Sequence, residues 1–186
     1  MRWHPRFAPV TAFALMPLIL AAAGEERQVA NRPPVSAASL QLKADQEALA
    51  WLPSAATNRL GDAPVPVLVP KDKLILSVAQ LAVETNFYAL SSSNEGATIS
   101  MQGTAVTHRY AEAPKLQTSR KVRGMPALLT DNEGIKSVTW IENGASYAVD
   151  VACAQVGDKR CASDEYLFSL VNRLTYVGGA LKTPAR

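Results

Sequence analysis

The dipeptide Asn143-Gly144 lies between two runs rich in β-branched and aromatic residues, in the stretch GIKSVTWIENGASYAVDVAC from 134 to 153. Asn-Gly suits the two positive-φ positions of a type I′ turn, which joins antiparallel strands through a two-residue loop. With that loop, Glu142 faces Ala145, Trp140 faces Tyr147, Val138 faces Val149 and Lys136 faces Val151. Trp140, Val138, Tyr147, Val149 and Val151 then share one face. Turn chemistry and alternation choose the same register independently, and a slip of one residue would turn the whole apolar set to water. A buried cross-strand pair of Trp140 and Tyr147 is therefore expected, with Glu142, beside the turn, at a surface position.

Other segments read as strands and short helices. Asn86 to Ser91 and Ala97 to Val106 flank a polar turn at Ser92 to Gly96. Ile99 and Met101 alternate with Thr98, Ser100 and Gln102, the mark of a sheet with one wet face. Gly103 suggests a bulge, a basic polar connection runs from His108 to Gly124, and Met125 to Thr130 reads as a further strand. Val65-Pro66-Val67-Leu68-Val69-Pro70 reads as an edge strand or irregular extended run, because its prolines withhold donors. Asp72 is placed to cap a short helix. Ser163-Asp164-Glu165 starts a C-terminal helix with the stripe Leu167, Leu170, Val171 and Leu174, and Gly178-Gly179 closes the ordered part. Ser39 to Leu52 reads as an N-terminal helix ended by Pro53. The expected class is α+β: an antiparallel sheet with a C-terminal helix on one face and a possible N-terminal helix.

The first 23 residues read differently. Arg2, His4 and Arg6 precede an apolar stretch that ends in Ala21-Ala22-Ala23-Gly24, the three parts of a secretory signal. Pro9 and Pro17 interrupt the apolar stretch, and its core is shorter than the ~20 residues that a spanning helix needs. No later segment is apolar enough to span, so no transmembrane segment is expected after cleavage. The expected organisation is a signal at 1–23, a linker with a possible helix at 24–64, one α+β domain at 65–180 and a tail at 181–186. Loss of Arg2 and Arg6 lowers the 19 basic residues to 17, against 16 acidic ones. Near-neutrality leaves no strong field for nucleic acid. An exported chain sits where disulfides persist, and Cys153 and Cys161, spaced by eight, read as a structural bond.

The ending with Trp140, Glu142, Asn143, Gly144, Tyr147 and Val149, followed by a cysteine loop and an L-x-x-L-type helix, resembles the closing hairpin and helix of uncharacterised exported bacterial proteins. It also resembles extracytoplasmic regulator domains with lipoprotein-carrier-like sheets. The resemblance covers about the last quarter of the chain, and its residues are mostly structural. It implies an exported sheet-and-helix fold and assigns no binding or catalytic residue.

The chemistry-bearing residues are sparse. After cleavage His108 is the remaining histidine, and the disulfide would occupy both thiols, so no His- or Cys-based metal cluster, metal or cofactor is expected. A serine triad would have to use His108 with Ser91, Ser92 or Ser93, without a G-x-S-x-G elbow. The pairs Asp131 with Glu133 and Glu142 with Asp150 resemble a glycosidase pair only in composition. Lys115, Arg120, Lys121 and Arg123 form a basic run of the kind common in solvated loops. No catalytic residue is assigned.

The leading expectation is thus a non-enzymatic envelope module, periplasmic or secreted, that binds a protein, peptide or lipid-like ligand. Its surface would be a groove between sheet and C-terminal helix, or an exposed edge near Val65 to Val69. An exported hydrolase, or an inhibitor of one, is the alternative, and an assembly subunit a third. The mature protein is expected to begin near Gly24. Intact mass of exported protein checks this, and full-length mass in a purified membrane fraction contradicts it.

Overall fold

A computed structural model describes residues 42–106 and 120–179. Their elements are α1 (Gln46–Trp51), α2 (Ser54–Thr57), β1 (Val67–Pro70), α3 (Lys73–Leu76), β2 (Gln80–Val83), β3 (Phe87–Asn94), β4 (Ala97–Thr104), β5 (Arg120–Val122), β6 (Met125–Asn132), β7 (Ile135–Glu142), β8 (Ala145–Cys153), α4 (Lys159–Ala162), α5 (Glu165–Val171) and β9 (Leu174–Gly178). The class is broadly α+β, mostly antiparallel sheet with a few short helices. No described helix is long and apolar enough to cross a membrane.

Four tight turns generate most of the sheet. Glu95-Gly96, Arg123-Gly124, Glu133-Gly134 and Asn143-Gly144 all take positive φ, near 50° and then near 80°. Each closes a two-residue loop between strands paired as Asn94 with Ala97, Val122 with Met125, Asn132 with Ile135 and Glu142 with Ala145. That backbone matches the right-handed twist of the strands it joins. Seven strands follow the order β2-β3-β4-β8-β7-β6-β5, and β1 pairs with β9 in a second, two-stranded sheet. The β7–β8 register is the expected one: Trp140 opposite Tyr147, Val138 opposite Val149 and Lys136 opposite Val151.

Tyr88, Ile99, Met101, Val138, Trp140, Tyr147, Val149 and Val151 occupy the buried face of the seven-stranded sheet. The Trp140 and Tyr147 rings stack with centroids 5.5 Å apart. Gly103 is in regular register with both Tyr88 and Tyr147, so it is not a bulge. A Cβ there would run into the Tyr88 ring and come within 3.0 Å of Tyr147. The glycine clears room for two tyrosines whose hydroxyls reach β1. Tyr147 donates to the Pro66 carbonyl at 3.1 Å. The Tyr88 hydroxyl accepts from the Leu68 amide at 3.1 Å and donates to the Leu68 carbonyl at 3.4 Å. Burial pushes both phenols above their ordinary pKa.

Several expectations change. Val65, Val67 and Val69 are fully buried rather than an exposed edge, because β9 pairs with β1 and the tyrosines satisfy its backbone. The core reaches back to Ala48, Leu52, Ala56 and Leu60, before the expected start at Val65. Asp45 caps α1 by accepting from the Glu47 and Ala48 amides, so the described helix starts later than Ser39, and residues 39–41 lie outside the described set. Ser92 to Asn94 belong to β3, and Arg120–Val122 form β5 rather than a connection. Leu167, Leu170 and Val171 are buried on α5, but Leu174 belongs to β9, not to the helical stripe. The tail at 181–186 also lies outside the described residues.

Glu142 differs in a way that matters for stability. It sits two residues from Trp140 and therefore on the same face. Its carboxylate accepts from Trp140 Nε1 at 3.1 Å and from Arg123 Nε at 2.8 Å. Arg123 also donates to the Leu174 carbonyl at 2.8 Å, which ties the β5–β6 turn to β9. Trp140→Ala should destabilise by ~3–5 kcal/mol, as large aromatic truncations do. Glu142→Ala should cost about 1–3 kcal/mol by leaving the indole N–H unpaired. Urea unfolding of both variants checks this, and unchanged midpoints contradict it.

Candidate functional site

The buried face of the sheet is left partly open at one end. A cleft of about 190 Å³ lies among α3, the β3–β4 turn, α4 and α5. Ile75, Ala97 and Ile99, each at most 5 % exposed, form its floor. Ser92 is also buried there, and its hydroxyl donates to the Ile75 carbonyl at 2.8 Å. Leu74, 67 % exposed, stands at the mouth. A hollow near Arg120, Ser163 and Asn172 is larger, about 560 Å³, but none of its lining residues is buried. Concave sites with apolar floors and a few convergent polar groups are the usual form of a binding site.

Polar walls surround that floor. Asp72 caps α3, accepting from the Leu74 amide at 3.0 Å and the Ile75 amide at 3.4 Å. Opposite stands Arg160. Its Nε donates to Asp158 Oδ1 at 3.0 Å and its Nη2 to Asp158 Oδ2 at 2.6 Å. Nη2 also donates to the Glu95 carbonyl at 2.6 Å, and Nη1 donates to the Asn94 carbonyl at 3.4 Å. The arginine thus binds the β3–β4 turn to the start of α4. Tyr166, on α5, completes the wall, and burial raises its phenol pKa.

The disulfide positions this wall. Cys153 ends β8 and Cys161 lies in α4, next to Arg160; the two are bonded. Helix α4 has no buried residue, so apolar packing does little to hold it. Its anchors are the sulfur bridge, the Arg160 contacts and the Ala154 amide, which donates to the Gly96 carbonyl at 2.8 Å. The Arg160 side chain, and then its backbone amide, hold the Asp158 carboxyl down at about 2.

The remaining sequence candidates scatter. Trp140, Asn143, Gly144 and Tyr147 form the hairpin and lie outside the cleft lining. Val149 and Val151 face inward, so Asp150 between them points to the opposite sheet face from Glu142, and the two acids are not a pair. Asp131 is bonded by Lys136 at 2.6 Å, and Lys136 also lies 3.3 Å from Asp164. Ser93 hydrogen-bonds Thr98 at 2.9 Å. The basic run separates: Arg120 lies over the Phe168 ring at 4.9 Å and Arg123 binds Glu142, while Lys115 and His108 are outside the described residues. Among the described residues no group of three or more metal-ligating side chains gathers. Sequence reasoning passed over Arg160 and Tyr166. The available signal was Asp158, two residues before Arg160, a capping residue just ahead of a short helix.

No protein-family model, curated protein or solved structure matches this chain. The chemistry of the cleft therefore rests on its own geometry.

Asp158 has a folded pKa below its ordinary 3.8. Its contribution to holding α4 is full above that ordinary value and fades as pH falls from about 4 toward about 2. A carboxyl-carbon NMR titration should place its midpoint near 2. A midpoint at the ordinary value would show that the Arg160 pair does not form in solution.

Proposed function

We propose that this is an exported, non-enzymatic envelope protein, periplasmic or secreted, that binds a protein, peptide or lipid-like ligand in the cleft. In this reading the C-terminal helix α5 lies on one face of the sheet and supplies one wall of the site, and the N-terminal helix belongs to the same body. The observation that carries it is the pairing of a buried apolar floor with an exposed leucine and polar walls at the end of the sheet. Export is supported by the Cys153–Cys161 bond, which suits an oxidising compartment. The other surface considered, the edge at Val65 to Val69, is buried and unavailable to a partner.

A photo-crosslinking residue in place of Leu74 should capture a partner from an envelope extract, and one in place of Ser146, in an outward-facing register position, should not. Ala97→Phe, which fills the cleft floor, should abolish the Leu74 adduct while leaving the protein folded by circular dichroism. Equal capture at both positions, or capture that survives Ala97→Phe, overturns the assignment.

A further inference from the structure

We infer that the cleft selects a protein segment presenting an apolar side chain beside a cationic one, and not an anionic headgroup; this rests on the cleft being the binding site. The size argues for a single side chain. About 190 Å³ falls below the ~300–1,000 Å³ of sites that enclose a drug-sized ligand. A flexible chain anchored by one residue fits such a space, with the exposed Leu74 adding contact at the rim.

The charge argument turns on Arg160. A guanidinium in a cleft ordinarily recruits carboxylate or phosphate, because its five N–H groups form a donor fork. Here four of the five are committed. Asp158 takes Nε and one Nη2 donor, the Glu95 carbonyl takes the other Nη2 donor, and Nη1 is directed at the Asn94 carbonyl. Asp158 also neutralises its charge. Arg173 gives its Nε to the Ser169 carbonyl and approaches Asp72 at 3.9 Å. An anion gripped by Arg160 through two donors would have to displace one of its present partners.

The acceptors, by contrast, are underused. The Glu95 carboxylate lies in the field of Arg160 but makes no hydrogen bond or ion pair among the described residues. Asp72 uses Oδ1 for the helix cap, and its Oδ2 has only the distant Arg173. The Tyr166 hydroxyl has no hydrogen-bond partner among the described residues. Two carboxylates and a phenol at the mouth of an apolar hollow complement an ammonium or guanidinium next to a buried side chain.

The test uses the oxidised protein, ¹⁵N-labelled, with N-acetyl-Leu-Lys-amide, N-acetyl-Leu-Glu-amide and phosphatidylglycerol vesicles as probes. At low salt the lysine dipeptide should shift the Ser92, Ile99 and Tyr166 amide resonances and bind about threefold more tightly than the glutamate dipeptide, the scale of exposed charge pairs. Glu95→Gln should shrink that preference. Equal binding, a preference for the glutamate dipeptide, or cleft shifts caused by the vesicles overturns the inference while leaving the cleft as a binding site. No cleft shift from either dipeptide overturns the cleft assignment itself, and this inference with it.

Discussion

Burying β1 requires partners for its backbone. Its four residues are all buried, and Pro66, just before it, and Pro70, its last residue, withhold donors. On one edge β9 pairs with it. On the side toward the large sheet, two tyrosine hydroxyls supply what a neighbouring strand would have supplied, at the Pro66 carbonyl and at both polar groups of Leu68. Because unpaired buried backbone groups are costly, this arrangement holds the small sheet at a fixed height above the large one. Gly103 makes it sterically possible. Trp140, stacked on Tyr147, extends the same aromatic layer to Glu142 and Arg123, and Arg123 closes the circuit on Leu174 of β9. Sheet, cover strand and hairpin turn thus share one polar framework inside an apolar core.

What could be read in the sequence divides along physical lines. The β7–β8 hairpin was legible because a turn dipeptide and a period-2 pattern agreed, and either would have failed under a shifted register. Three further turns with the same backbone were not recognised as two-residue loops, although a polar turn was expected at Ser92 to Gly96, because Glu95, Arg123 and Glu133 are not the residues that favour positive φ. Only the glycine in the second position carried the signal. A recurring x-Gly at these intervals marks a meander even when the first residue is unfavourable, since the flanking pairings hold it in place. The disulfide was legible from the expected export and the spacing, whereas β9 was hidden because Leu174 continues a helical stripe that Val171 ends.

The cleft was not legible, and the reason is long-range assembly. Its walls come from Asp72, Glu95, Arg160 and Tyr166, which belong to four separate segments. Each has an ordinary local role in isolation: a helix cap, a turn residue, an ion pair, a helix residue. Glu142 shows the same limit in a shorter range. Alternation places it inward beside Trp140, but nearness to the turn argued for solvent. The deciding contact, Arg123, comes from a different hairpin.

The position of the sulfur bridge links stability to the site. A bond closing so short a loop restricts the unfolded chain modestly, by roughly 2–3 kcal/mol in the chain-entropy account. The core cluster, which runs from Ala48 to Val177 over both sheets, has ample apolar contact without it. Helix α4 does not, since none of its residues is buried. The bridge therefore matters most locally. It keeps Arg160 over the β3–β4 turn, where the guanidinium is bound by Asp158 and two carbonyls. An arginine held this way acts as a brace for the cleft wall.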